Sequence, residues 1–119
     1  MKDNVLLNKT EAFSIRIINA EIYLRTQKKE TVMSKQILRS GTSIGANAAE
    51  SQNAQSPSDF IHKLSIALKE ADETKYWLKL LYGSQYITAD AYKSMNADLL
   101  EIIALLTTII KTTKNKYNV

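Results

Sequence analysis

Cysteine is absent, which excludes disulfides, thiolate metal sites and a Cys nucleophile. Histidine occurs once, as His62. A di-iron bundle needs Glu-x-x-His on two helices, so that chemistry is excluded as well. A Ser-His-Asp arrangement is formally allowed, but His62 falls out of phase with the core stripe of its segment and reads as a surface residue. Proline occurs once and glycine three times, and β-branched residues do not alternate at period 2. Strands are therefore not expected, nor is the strand-borne Gly-rich loop that cradles phosphates. No catalytic residue, metal site or cofactor is assigned.

Long apolar runs are missing too. The most apolar segment, Leu99 to Ile110, holds Glu101 and two threonines and is shorter than the roughly 18 residues of a membrane span. The opening residues lack an apolar stretch of signal-peptide length. The expectation is a cytoplasmic protein with no membrane partner.

What is present is a chain of 119 residues, 45% hydrophobic and 24% charged, with net charge +4. That is enough to bury a core as one domain over residues 1–119 without staples. Apolar residues recur at spacings of three and four. Leu6, Thr10, Phe13, Ile17, Ala20 and Leu24 form one stripe, with Ile15, Ile18 and Ile22 read as widening it. Phe60, Leu64, Ala67, Ala71, Thr74, Leu78 and Leu81 form another, and Tyr92, Met95, Leu99, Ile102, Leu106 and Ile109 a third. A further segment, from about Val32 to Ala54, presents Met33, Ile37, Ile44 and Ala48.

The breaks carry capping chemistry. Ser56 with Pro57 and Asp59 opens a helix, Gly83 closes it, and Thr88 caps the next, with Ile87 and Tyr92 placed as a staple. The stretch Lys28–Thr31 is the weakest break, so the first two helices are expected to be nearly continuous. Short connections favour antiparallel neighbours, hence an all-α, up-down-up-down four-helix bundle.

The segment QILRSGTSIGANAAES, Gln36 to Ser51, is crowded with weak helix formers. Gly41, Gly45 and Ala49 stand four apart, a strip with almost no side chain that admits a neighbouring helix closely. Beside it runs a polar row, Arg39, Ser43, Asn47 and Glu50. One antiparallel register sets Arg39 opposite Glu73, Ser43 opposite Glu70 and Glu50 opposite Lys63. These seven residues are read as an interhelix polar network that fixes register. The alternative is that they line a ligand or nucleic-acid surface.

The stretch RSGTSIGANAAES, followed by DFIHKLSIALKEADETKYWLKLL, resembles a bacterial family of four-helix bundle proteins. The family is named for intervening sequences in large-subunit ribosomal RNA genes. The resemblance covers about Ile37 to Leu81. It rests on Arg39-Ser40, Ser43-Ile44, Asn47, Glu50, Asp59-Phe60, Lys63, Ala67, Glu70, Glu73 and Trp77, with Ser51 and Ala48 as departures. It implies a homopentamer around a central channel. The distantly similar accessory variability protein of diversity-generating retroelements uses a basic pentameric barrel to bind nucleic acid.

On that reading a charge of +4 per chain becomes +20 for five chains. Lys28, Lys29, Lys35, Lys75 and Lys79, at the bundle end holding the first and third turns, are the candidate phosphate contacts. Lys111, Lys114 and Lys116 belong to the opposite end. Trp77 falls off the core stripe and is read as a subunit-interface anchor. RNA or DNA is the expected partner class. The alternative is a structural scaffold that recruits a protein and binds no nucleic acid.

Overall fold

A computed structural model describes residues 4–119. Among these residues there are four α-helices and no strand: α1 Val5–Gln27, α2 Met33–Ser51, α3 Pro57–Gly83 and α4 Ala89–Tyr117. Each packs on its neighbours in sequence and α1 also packs on α4, while the diagonal pairs make no close backbone approach. The result is an antiparallel four-helix bundle of 47 × 26 × 20 Å. No helix of the described residues is long and apolar enough to cross a membrane.

The core lies along the bundle axis, where the three- and four-residue stripes meet. Phe13, Ile17, Leu24, Ile37, Ile44, Leu64, Leu78, Leu81, Leu99, Ile102 and Leu106 are fully buried. Each such side chain stabilises the fold by about 1.5–3 kcal/mol relative to exposure. Ile15, Ile18 and Ile22 do not join them. They are 55%, 42% and 44% exposed, because at 100° per residue they fall on the side of α1 opposite the buried Phe13–Ile17–Leu24 line.

The turns follow local chemistry. Ser56 Oγ accepts from the Asp59 amide at 3.0 Å, and Thr88 Oγ1 accepts from the Ala91 amide at 3.1 Å. Asp59 returns its carboxylate to the Gln55 amide at 3.2 Å, one residue before the N-cap. The α1–α2 join is a sharp break, not a continuation. Lys29 takes a left-handed conformation, φ 56°, which ends α1. The buried Glu30 carboxylate then accepts from the amides of Val32, Met33 and Ser34 at 3.1, 3.1 and 2.7 Å. A carboxylate on the first amides of a helix satisfies orphan donors and complements the helix dipole. Glu30 does for α2 what an N-cap side chain does elsewhere.

Candidate functional site

The close approach of α1 and α2 is made at the glycine strip. A Cβ on Gly41 would lie 2.8 Å from Cγ1 and 2.9 Å from Cγ2 of Ile17. At Gly45 the nearest atoms would be Ser14 Oγ at 3.2 Å and the Thr10 carbonyl oxygen at 3.4 Å. Gly41 is buried and Gly45 half-buried, whereas Ala49 is exposed beyond them. The strip therefore faces α1, and the polar row faces α3.

On that α3 side Arg39 forks between two carboxylates. Its Nη1 donates to Glu70 Oε2 at 3.0 Å and its Nη2 donates to Glu73 Oε2. The same Glu73 oxygen accepts from the Trp77 indole Nε1 at 3.1 Å. The Trp77 hydrogen bond, followed by that of Arg39, holds Glu73 below its ordinary value of 4.5, against the opposing effect of desolvation. The Glu73 hydrogen bond is also the main reason that Arg39 is raised. Glu50 and Lys63 stand 3.8 Å apart.

Ser43 and Asn47 do not cross to α3. Ser43 Oγ donates to the Arg39 carbonyl at 2.6 Å and Asn47 Nδ2 to the Ser43 carbonyl at 2.9 Å. Short side chains one turn after a carbonyl find it before they reach another helix. Glu70 is instead taken by Arg39. The buried bond that crosses from α2 to α3 lies outside the polar row and joins Ser40 to Thr74, with Oγ and Oγ1 2.9 Å apart. Thr74 also donates to the Glu70 carbonyl at 2.8 Å. A hydroxyl carries one proton, so Ser40 is the donor between the two hydroxyls. The available signal was Thr74 itself, a polar residue standing on the core stripe.

The five candidate lysines share one end of the bundle but not one face. Lys28, Lys29 and Lys35 surround the α1–α2 turn. Lys75 and Lys79 lie seven and three residues before Tyr82, on the flank of α3 whose Tyr82 stacks on Tyr92 of α4. All five are exposed. None is among the described ion pairs, which join Lys9 to Glu101, Arg16 to Asp98, Arg25 to Glu21, Arg39 to Glu70 and Glu73, and Lys63 to Glu50.

Trp77 is half-buried against the core and meets Tyr76 edge to face, with 5.4 Å between centroids. His62 is exposed on α3. Asn96, on α4, buries its Oδ1 with no hydrogen-bond partner among the described residues.

The family model described as 23S rRNA-intervening sequence protein matches residues 2–108. The crystal structure of a protein with unknown function from Bacteroides thetaiotaomicron, assigned to the S23 ribosomal protein family, is similar to this chain with a TM-score of 0.89. The two are 57% identical over 90% of this chain and 99% of that one. Comparison with curated proteins gives no match. The extent of the family match, over a four-helix bundle of this shape, leads to one conclusion: the chain belongs to the 23S rRNA-intervening sequence protein family.

Proposed function

We propose that the protein is a non-enzymatic, cytoplasmic homo-oligomer, one bundle per chain over residues 1–119, that binds nucleic acid in an accessory role. The pentameric form follows from the resemblance set out above. The observation that supports nucleic-acid binding is the division of the cations. Arg16, Arg25 and Arg39, with Lys9 and Lys63, are matched to carboxylates within 4.0 Å. Lys28, Lys29, Lys35, Lys75 and Lys79 are exposed and outside every described ion pair. The excess positive charge is thus carried by unmatched lysines, and unmatched lysines are the groups that displace counterions from phosphates. Arg39, Glu50, Lys63, Glu70 and Glu73 serve as the register lock between α2 and α3.

Self-association is supported by the exposed Ile15, Ile18 and Ile22 on α1. Three isoleucines at helical spacing on an outer face form an apolar strip of the kind that marks an interface. Trp77 is proposed as a second subunit contact. The same strip also favours the other reading, a scaffold that recruits a protein.

Salt separates the two readings. Changing Lys28, Lys29, Lys35, Lys75 and Lys79 to Gln is expected to abolish binding to nucleic acid and to flatten its salt dependence. Undiminished binding by that variant would refute the lysine assignment, and failure of the unaltered protein to bind at low salt would favour the scaffold.

A further inference from the structure

Two aromatic rings at the lysine-bearing end of α3 and α4 are arranged differently from the rest. Tyr82 and Tyr92 lie face to face, centroids 4.6 Å apart and planes within 8°. The neighbouring Tyr76–Trp77 pair meets edge to face at 63°. The inner ring, Tyr92, is packed against the core. The outer ring, Tyr82, is 41% exposed. A half-buried ring thus stacks on an exposed one, and an exposed ring in such a stack can be extended by another planar group.

Three lysines lie close to this stack along the two helices. Lys79 and Lys75 precede Tyr82 by one and two helical turns on the same flank of α3, and Lys93 directly follows Tyr92. All three are exposed and stand outside every described ion pair. Asp72, one turn before Lys75, and Asp90, in the first turn of α4, bound the patch with opposite charge.

We infer that the Tyr82–Tyr92 stack is a platform for an unpaired base, with the strand's phosphates on Lys75, Lys79 and Lys93. This rests on the nucleic-acid reading above and narrows it to single strands, adding Tyr82, Tyr92 and Lys93 as contacts. Single-strand binding joins a cationic track to an exposed aromatic face. A duplex keeps its base faces inside and meets only the lysines.

The test is fluorescence anisotropy of the full-length protein with a labelled mixed-sequence single strand and with the matching duplex. Tyr82→Ala is expected to weaken single-strand binding about tenfold, within the roughly fivefold to hundredfold range of base–aromatic stacking. Duplex binding should stay within about twofold, and Tyr82→Phe, which keeps the ring, should bind single strands like the unaltered protein. Lys75→Gln, Lys79→Gln and Lys93→Gln together should reduce the single-strand salt slope by about 2, at roughly 0.7 per phosphate contact. Helical circular dichroism controls for folding, and the lysine variants carry the test if Tyr82→Ala misfolds.

Equal losses on both strand types, or none on the single strand, would overturn the platform and leave nucleic-acid binding standing. A protein that binds duplex alone would do the same. Failure to bind either strand type would overturn both inferences.

Discussion

Replacing Gly41 by Ala probes the contact that sets the distance between α1 and α2. The added Cβ would lie 2.8, 2.9 and 3.1 Å from Cγ1, Cγ2 and Cδ1 of Ile17. Carbon pairs rest at about 3.5–4.0 Å, so both branches of Ile17 stand roughly 0.6 Å or more too near. Ile17 is fully buried, and a β-branched side chain in a helix has one strongly preferred χ1 rotamer, so it cannot swing aside. Overpacking of this kind costs about 1–3 kcal/mol. Against it stands a helix-propensity gain of about 1 kcal/mol for Gly→Ala.

The balance is a loss of up to about 2 kcal/mol, centred near about 1, or a fall in Tm of up to roughly 8 °C. Gly45→Ala meets Ser14 Oγ at 3.2 Å and the Thr10 carbonyl oxygen and Cβ at 3.4 and 3.5 Å. It should be near neutral. Gly83→Ala meets nothing within 4 Å and should gain a few tenths of a kcal/mol, roughly. Thermal and urea unfolding at one fixed protein concentration would rank the three. Gly41→Ala combined with Ile17→Ala should lose less than the sum of the single changes. A Gly41→Ala protein more stable than the unaltered one, or no less stable than Gly45→Ala, would refute the argument.

Three further outcomes follow from the same geometry. Trp77→Phe removes the first cause of Glu73's lowered pKa, so Glu73 should titrate closer to 4.5. A lowered carboxyl stabilises the fold above its unfolded pKa and loses that contribution as pH falls through the folded value. The acid edge of this contribution should therefore move up in the variant, and an unchanged Glu73 carboxyl titration by NMR would count against the indole bond. Asn96→Leu removes a buried oxygen without a partner, a group that costs about 1–3 kcal/mol when left unpaired. It should match or exceed the unaltered protein in urea, and a clear loss would show that Asn96 has a partner. Ile18→Glu with Ile22→Glu should reduce the oligomer mass in light scattering while preserving helicity, and an unchanged mass would remove the α1 strip from the interface.

Much of the bundle was legible because its signals are local. The four-three spacing of Leu64, Ala67, Ala71 and Leu78 is the buried line of α3, and Ser56 and Thr88 cap the helices they precede. The glycine strip was readable as a close-packing surface, although only the fold assigns it to α1. Ile15, Ile18 and Ile22 misled because hydrophobicity alone does not separate a core face from an exposed apolar one. The α1–α2 break was underestimated because its stop is a left-handed lysine and a glutamate carboxylate, neither a usual terminator. Within the polar row, spacing brought Arg39 to Glu73 and Glu50 near Lys63, yet could not foresee that Ser43 and Asn47 would turn back on their own helix. The Tyr82–Tyr92 stack was out of reach, since it depends on how the ends of two helices meet.

The most direct measurement is an anisotropy titration of the purified protein against structured RNA, duplex DNA and single strands. It should be run at low and physiological salt, with oligomer mass measured in the same samples. The account predicts an oligomer whose binding is tight at low salt and falls steeply as salt rises. An oligomer that binds none of these nucleic acids even at low salt would contradict it and leave protein recruitment as the function of the bundle.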